Sequence, residues 1–394
     1  MTQITMVAGE PSGDLLAARV LHGITTRLPT AYCTGIGGPA MRAAGQQQWH
    51  DLEALSVFGY VDAIKQLPRL WRIFRDTKKR CLNAPTDIFV GIDAPDFNLR
   101  MEKALKAAGI PTIQFVSPSI WAWRYERIHS IRQSVSHMLV LFPFEVPIYE
   151  KEGIPVTFVG HPLAQEIPLE PDQEIARNSL NLDLNDPVLA ILPGSRASEI
   201  KWLAPLFFSV AEKLQQAIPN ISFVIPAVNA KRSEEIKSLL ECYQLRQVHL
   251  IENPTYSTKH SEFAAQPVSW QCMQAADALL VASGTAALEG MMFKKPMVIS
   301  YILSPLMRTI MAWQSGQNRP YTQWVGLPNI LANKEIAPEY LQEDATVENI
   351  LPAIKKALFD DSYRETVITE SAVLHQQLRQ NTVELATDVI LQYL

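Results

Sequence analysis

Two successive series of short apolar runs, each closed by a Gly/Ser/Pro turn and followed by a helical pattern, constrain this chain more than any other feature. In the first half the runs lie at residues 4–8, 31–36, 88–92, 112–116, 138–142 and 156–159. In the second half they lie at 188–192, 222–226, 248–251, 278–281 and 297–301. Runs of this length alternating with helices predict strands buried on both faces, as in a parallel sheet covered by helices. Between the two series, residues 163–187 are polar, bear prolines and lack a strand signal, so the linker is placed there. An eight-fold barrel shares the strand count but predicts no such break. At 394 residues the chain also exceeds what one core usually supports. The expected fold is therefore α/β, with doubly wound domains over 1–165 and 185–340 and a cleft between them. Beyond Pro338 the pattern turns helical, so 341–394 is expected to be helices that pack on the domains.

Charge and cysteine usage narrow the partners. A net charge of -5 and a pI near 6.0 lack the basic footprint that phosphate neutralisation demands, so nucleic acid is not expected. Cys33, Cys81, Cys242 and Cys272 are too scattered for a disulfide framework or a Cys-x-x-Cys metal site. The amino-terminal residues lack a basic n-region and a long apolar stretch, and they read as a first strand. No apolar run is long enough to span a bilayer, so the expected location is cytoplasmic, at most on a membrane surface.

In an open α/β sheet, ligands sit at the carboxyl ends of the strands, where helix amino termini offer N–H groups to anions. Two loops of the second half fit. Pro193-Gly194-Ser195-Arg196 follows the run 188–192 and precedes an amphipathic helix over 197–217; Gly194 allows close backbone approach, and Arg196 could fork onto a diphosphate. Ser283-Gly284-Thr285 precedes the helix that carries Glu289, one turn further on the same face, where a carboxylate could accept both hydroxyls of a ribose. The plain alternatives are a tight turn with a surface arginine and a helix with Ser283 as its N-cap.

The first half offers Gly9-Glu10-Pro11-Ser12-Gly13-Asp14 after its first strand, in which neither a dinucleotide fingerprint nor a nucleophile elbow is present. Its run at 88–92 ends in Asp93-Ala94-Pro95-Asp96, two acids at a strand end. Asp93 is the better general base, whereas Asp96 could equally cap a helix that begins near Leu99. His161, also at a strand end, is an alternative base or phosphate contact. From 63 to 80 the chain carries seven cations, including Arg69 and Arg72, against one acid, with Leu67, Leu70, Trp71 and Phe74 at helical spacing. A cationic helix with an apolar face suits an anionic membrane interface, and Phe58 just before it adds to the apolar side. Residues 304–313 form a second apolar stretch that core packing explains nearly as well.

Taken in order, these segments resemble the lipid-A-disaccharide synthase family, inverting glycosyltransferases of the two-Rossmann GT-B architecture. The resemblance runs through Gly9-Glu10-x-Ser12-Gly13-Asp14, the segment from Gly91 to Asn98, that from Ser117 to Arg124, Gly160-His161-Pro162, Pro193 to Arg196 with Glu199, Ser283 to Glu289, and Leu327-Pro328-Asn329. It implies transfer of 2,3-diacylglucosamine from its UDP conjugate to the 6-hydroxyl of 2,3-diacylglucosamine 1-phosphate, giving a β-1,6-linked disaccharide. It further implies Asp93 as base; Asp96 and His161 stay the other catalytic candidates, from their strand-end positions alone. Gly194, Ser195, Arg196, Ser283, Gly284, Thr285 and Glu289 would surround UDP, and Glu10, Ser12, Gly13 and Asn329 the sugars. No metal or other cofactor is implied. The family acts peripherally at the inner membrane, which gives Phe58, Arg69, Trp71, Arg72 and Phe74 a purpose, and it leaves room for a homodimer. Gly326 stands where the family commonly has serine, Asn333 where it commonly has glycine, and 313–324 looks unlike the family. The alternatives are a UDP-sugar epimerase of the same architecture and a non-catalytic nucleotide-sugar or lipid-binding protein.

Overall fold

The computed structural model describes residues 2–55, 60–83, 86–252, 263, 266–303 and 322–394, with side chains in all of these except 60–66. The chain divides into two compact units, Met1–Gln165 with Leu378–Leu394, and Glu166–Gln377.

The first unit is built on seven parallel strands: β1 (Gln3–Ala8), β2 (Tyr32–Gly37), β3 (Gln47–Asp51), β4 (Ile88–Ile92), β5 (Thr112–Phe115), β6 (His137–Val140) and β7 (Val156–Phe158). Their order in the sheet is β3-β2-β1-β4-β5-β6-β7. From β1 the chain winds outward through β2 and β3 in one direction and from β4 through β7 in the other, so the winding reverses between β1 and β4. Ile4, Met6, Val7 and Ala8 of β1 and all five residues of β4 are buried, as expected for strands covered on both faces. Helix Pro11–Arg27 buries Leu16, Ala17, Val20, Leu21 and Ile24 at helical spacing. The carboxyl-terminal helix Thr382–Gln392 returns to this unit and places Ala386, Val389 and Ile390 in the same core. Where the two helices cross, a Cβ on Gly23 would lie 2.7 Å from Thr387 Oγ1, so the close approach requires glycine.

The second unit holds β8 (Val188–Leu192), β9 (Ser222–Ala227), β10 (Val248–Glu252), β11 (Ala278–Ala282), β12 (Met297–Tyr301) and β13 (Glu339–Leu341), in the order β10-β9-β8-β11-β12-β13. Its winding reverses between β8 and β11. Helix Ala197–Ala217, at its predicted bounds, turns Ile200, Leu203, Phe207, Ala211 and Leu214 into the core.

The structure corrects the sequence reading in three places. Strands β3 and β13 carry no apolar run: Gln-Gln-Trp-His-Asp and Glu-Tyr-Leu are half-buried sheet edges. The segment placed as a linker is ordered, with helix Gln173–Ser179 packed against helix Val268–Ala275; the Arg177 side chain, almost fully buried, reaches Asp277 at 2.6 Å and the carbonyls of Ala275 and Leu184. The helix after β4 begins at Pro95, not near Leu99. No described helix is long and apolar enough to cross a membrane. Phe58 and the stretch 304–313, together with most of 313–324, lie outside the described residues.

Candidate active site

In doubly wound sheets the ligand crevice opens where the winding reverses, outside the carboxyl ends of the two strands at that point. In the first unit those are β1 and β4, and Ala8 pairs with Ile92, so the turns Gly9-Glu10 and Asp93-Ala94 and the helix starts that follow them leave the sheet side by side. Asp93 is at the centre of that junction. Its Oδ1 accepts a hydrogen bond from the Gly9 N–H at 2.8 Å, while its Oδ2, though buried, meets no hydrogen bond of ordinary geometry among the described residues. A Cβ on Gly13 would stand 1.8 Å from that Oδ2, and one on Gly9 2.4 Å from the Ala94 Cβ. Both positions are glycine because the carboxylate and its neighbour occupy the space.

The backbone here is strained, since Asp93 and Ala94 are both left-handed, at φ 52° and 38°. Such conformations cost on the order of 1–3 kcal/mol each outside glycine and persist only where surroundings impose them. Here the Asn98 and Gln114 side chains each donate to the Asp93 carbonyl at 3.0 Å. Burial pushes the Asp93 carboxyl up to about 7, helped by the nearby Glu10 charge and opposed by the Gly9 and Glu10 backbones. A carboxyl poised near neutrality is what a general base at physiological pH requires.

The other candidates of this unit separate by geometry. Glu10 and Ser12 are exposed beside Asp93, whereas Gly13 is buried under it. Asp14 lies in the first turn of its helix and accepts from the N–H groups of Gly38, Ala40 and Met41, capping the next helix. Asp96 caps nothing; it is exposed in the first helical turn and accepts from Arg127 at 2.8 Å. His161 packs against Phe142, its Nδ1 accepts from the Leu163 N–H, and burial lowers its pKa to about 4, which makes it a poor base near neutrality. On helix Tyr60–Asn83, Leu67 and Trp71 are more than half exposed and Arg69 and Arg72 are exposed; Arg75 lies over the Trp71 ring at 4.6 Å. Phe74, expected on that surface, instead packs edge-on against Phe97.

In the second unit the reversal lies between β8 and β11, where Leu192 pairs with Val281. The two loops singled out from sequence are thereby adjacent. Gly194 is left-handed at φ 112°, and Arg196 is the N-cap of the long helix with its side chain largely exposed. The anion-binding expectation needs one correction. Glu199, in the first helical turn, accepts from the N–H groups of Ser195 and Arg196 at 3.0 and 3.1 Å, and its other oxygen accepts from the Arg196 guanidinium at 3.3 Å. An internal carboxylate therefore already satisfies two amides that a phosphate would have used.

At the neighbouring loop, Gly284 rather than Ser283 is the N-cap, at φ 148°, and among the described residues no atom lies within 4 Å of where a Cβ would be. Thr285 is exposed, and one turn below it Glu289 is largely buried; burial raises its pKa to about 7 while the Trp270 side chain, hydrogen-bonded to it, pulls the other way. Asn329 is not available to a sugar. It is fully buried, donates to the Ala337 carbonyl and to Glu339, and accepts from the N–H groups of Ile336 and Ala337. Glu339 in turn accepts from Val325 and Gly326, leaving no room for a side chain at 326. Asn333 is the left-handed C-cap of helix Leu327–Ala332, a conformation that glycine and asparagine adopt at least cost.

Several residues that shape the site escaped the sequence reading, Gln114 and Glu102 among them. Gln114 is a fully buried amide between Ile113 and Phe115 of strand β5, a signal that could have been read. Glu102 is buried 2.4 Å from where a Gly91 Cβ would be, with neither oxygen partnered among the described residues, and burial holds it well above the usual carboxylate range.

A family model described as lipid-A-disaccharide synthetase matches residues 4–392. A lipid-A-disaccharide synthase of Bordetella petrii is 54% identical over 389 residues, covering 99% of this chain and 98% of the relative. One of Burkholderia thailandensis is 46% identical over 389 residues, covering 98% and 95%. Among solved structures, CalG4, the calicheamicin glycosyltransferase, aligns over 100% of this chain and 98% of its own with a TM-score of 0.58 at 14% identity, a likeness of fold. That likeness marks the two doubly wound sheets as the GT-B architecture, and the relatives set aside the epimerase and the non-catalytic alternatives. The chain belongs to the lipid-A-disaccharide synthetase family, glycosyltransferases that form the disaccharide of lipid A.

Proposed function

We propose that this chain transfers 2,3-diacylglucosamine from its UDP conjugate to the 6-hydroxyl of 2,3-diacylglucosamine 1-phosphate, with inversion, and that Asp93 is the base. The observation that carries the assignment is the Asp93 carboxyl itself, buried at a sheet reversal with one oxygen held by Gly9 and the other unpartnered among the described residues, a burial that pushes its pKa up to about 7. In the step, the acceptor O6–H bond breaks and its proton passes to Asp93. The O6 lone pair forms the new bond to the donor anomeric carbon as the bond from that carbon to the UDP oxygen breaks, and UDP leaves with the electron pair. Arg196 and the loop around Gly284 hold the diphosphate, and Glu289 accepts the ribose hydroxyls. The reaction uses no metal, so it proceeds in excess EDTA.

The test is mass spectrometry of products formed from the two diacylglucosamine substrates by the wild type and by Asp93→Ala. The variant should fold and bind UDP yet lose transfer by about two to four orders of magnitude. The base must be ionised and its pKa is raised, so wild-type kcat/KM for the acceptor should climb with pH and level off above about 7. Wild-type rates in the variant would remove Asp93 from the mechanism.

The exposed pair Leu67 and Trp71, set among Arg69, Arg72 and Arg75, supports peripheral docking on an anionic membrane at the cytoplasmic face. Trp71→Glu should reduce co-sedimentation with phosphatidylglycerol vesicles; equal binding by both proteins would rule this surface out.

A further inference from the structure

A cavity of about 210 Å³ opens in the first unit between helix Pro95–Lys106 and the segment that carries Arg124, Arg127 and Ser130. Arg100, Lys103, Arg124 and Arg127 line it, against one carboxylate, Asp96. That carboxylate already pairs with Arg127, and Arg124 lies 4.0 Å from Glu126. Arg100 and Lys103 have no carboxylate partner among the described residues. The spacing 96, 100, 103 sets these three on one helix face, so the cations converge by construction rather than scatter over a solvated surface. Arg124 is left-handed at φ 60° where it opens the short turn over Tyr125–Arg127, which brings it and Arg127 to the same wall of the cavity. An excess of positive charge gathered in one pocket of a chain whose net charge is -5 is self-repelling until an anion fills it.

We propose that this pocket binds the phosphate monoester of the acceptor, an inference that rests on the transfer reading above. The acceptor carries its reacting 6-hydroxyl at one end of the sugar and its phosphate at the other. The chain offers the two matching groups in succession: the base Asp93, then a pocket whose wall begins at Pro95 on the same turn. Arginine forks suit the paired oxygens of a phosphate monoester, and the amino terminus of helix Pro95–Lys106 adds its positive dipole end. The pocket thus orients the acceptor for deprotonation and selects phosphorylated over unphosphorylated sugars.

The test assays Arg100→Ala, Lys103→Ala and the double variant with UDP-diacylglucosamine and either the 1-phosphate acceptor or the same acceptor lacking phosphate. Both residues are exposed, so the variants should fold. The wild type should prefer the phosphorylated acceptor in kcat/KM, and that preference should fall about tenfold for each cation removed, mainly through KM. A preference that survives the double variant, or rates that fall equally for both acceptors, overturns the pocket while leaving the transfer reading intact. Retained preference combined with lost binding to phosphatidylglycerol vesicles assigns the cations to a lipid headgroup and also overturns it. A wild type that forms no disaccharide from these substrates defeats the transfer reading and this one together.

Discussion

The two sheet reversals are built on the same plan and differ in one glycine. At the first, the glycines are crowded by the protein: Gly13 and Gly9 exist because Asp93 and Ala94 press against them. At the second, Glu199 crowds Gly194, its Cβ and Oε2 both 2.5 Å from where a Cβ would be, and turns its carboxylate onto backbone amides, whereas Gly284 on the adjacent loop has no described atom within 4 Å of where its Cβ would be. A crowded glycine makes way for a group of the chain itself, whereas an uncrowded one at φ 148° leaves room for something from outside. The first reversal therefore supplies a reactive group under strain and the second supplies space, a division that fits a base in one unit and a nucleotide in the other.

Gly13→Ala is the most direct way to break that comparison. The added methyl would stand 1.8 Å from Asp93 Oδ2, so the carboxylate must shift, and a misplaced base costs on the order of a hundredfold in rate. Binding of UDP should be unaffected, because Gly13 belongs to the first unit. Calorimetry with UDP alongside turnover would separate the two; a variant that keeps its rate would show that the crowding around Asp93 serves packing alone.

What the sequence displayed of this arrangement followed from burial. Central strands such as β4, β8 and β11 are apolar throughout because both faces are covered, and the carboxyl ends of β4 and β11 place Asp93 and Ser283 without further information. Edge strands β3 and β13 were illegible because a half-exposed edge needs no apolar run. Polar residues whose partners come from outside their own element were misjudged for a related reason. Arg177 looked like linker until Asp277 was brought beside it, and Asn329 looked like a sugar contact until Ile336, Ala337 and Glu339 took up its amide. Glu199 is the subtler case, since its capping of Ser195 and Arg196 follows the local spacing of a capping box and could have been read.

Glu289→Gln sharpens the second half of the comparison. If the carboxylate beneath Gly284 accepts ribose hydroxyls, the amide should bind UDP about tenfold more weakly. The ionised form is the better acceptor and burial raises its pKa to about 7, so wild-type affinity for UDP should increase as pH rises through that value. The Gln variant should show a flatter dependence. Equal affinities at pH 8, measured by calorimetry, would detach Glu289 from the nucleotide and leave it a buried partner of Trp270.

The smallest effect concerns Glu199, and it tests whether the second loop is an anion site at all. Glu199→Ala removes the acceptor of two amides and half of a capping box, which should destabilise the unit by about 1 kcal/mol in thermal unfolding. It also frees the Ser195 and Arg196 N–H groups and removes a negative charge 3.3 Å from the Arg196 guanidinium. If the diphosphate sits on this loop, UDP should recover part of that loss by binding the variant at least as tightly as the wild type, so that saturating UDP narrows the stability gap. If UDP stabilises the wild type and variant equally, the phosphates lie elsewhere, and the open space around Gly284 alone would carry the nucleotide.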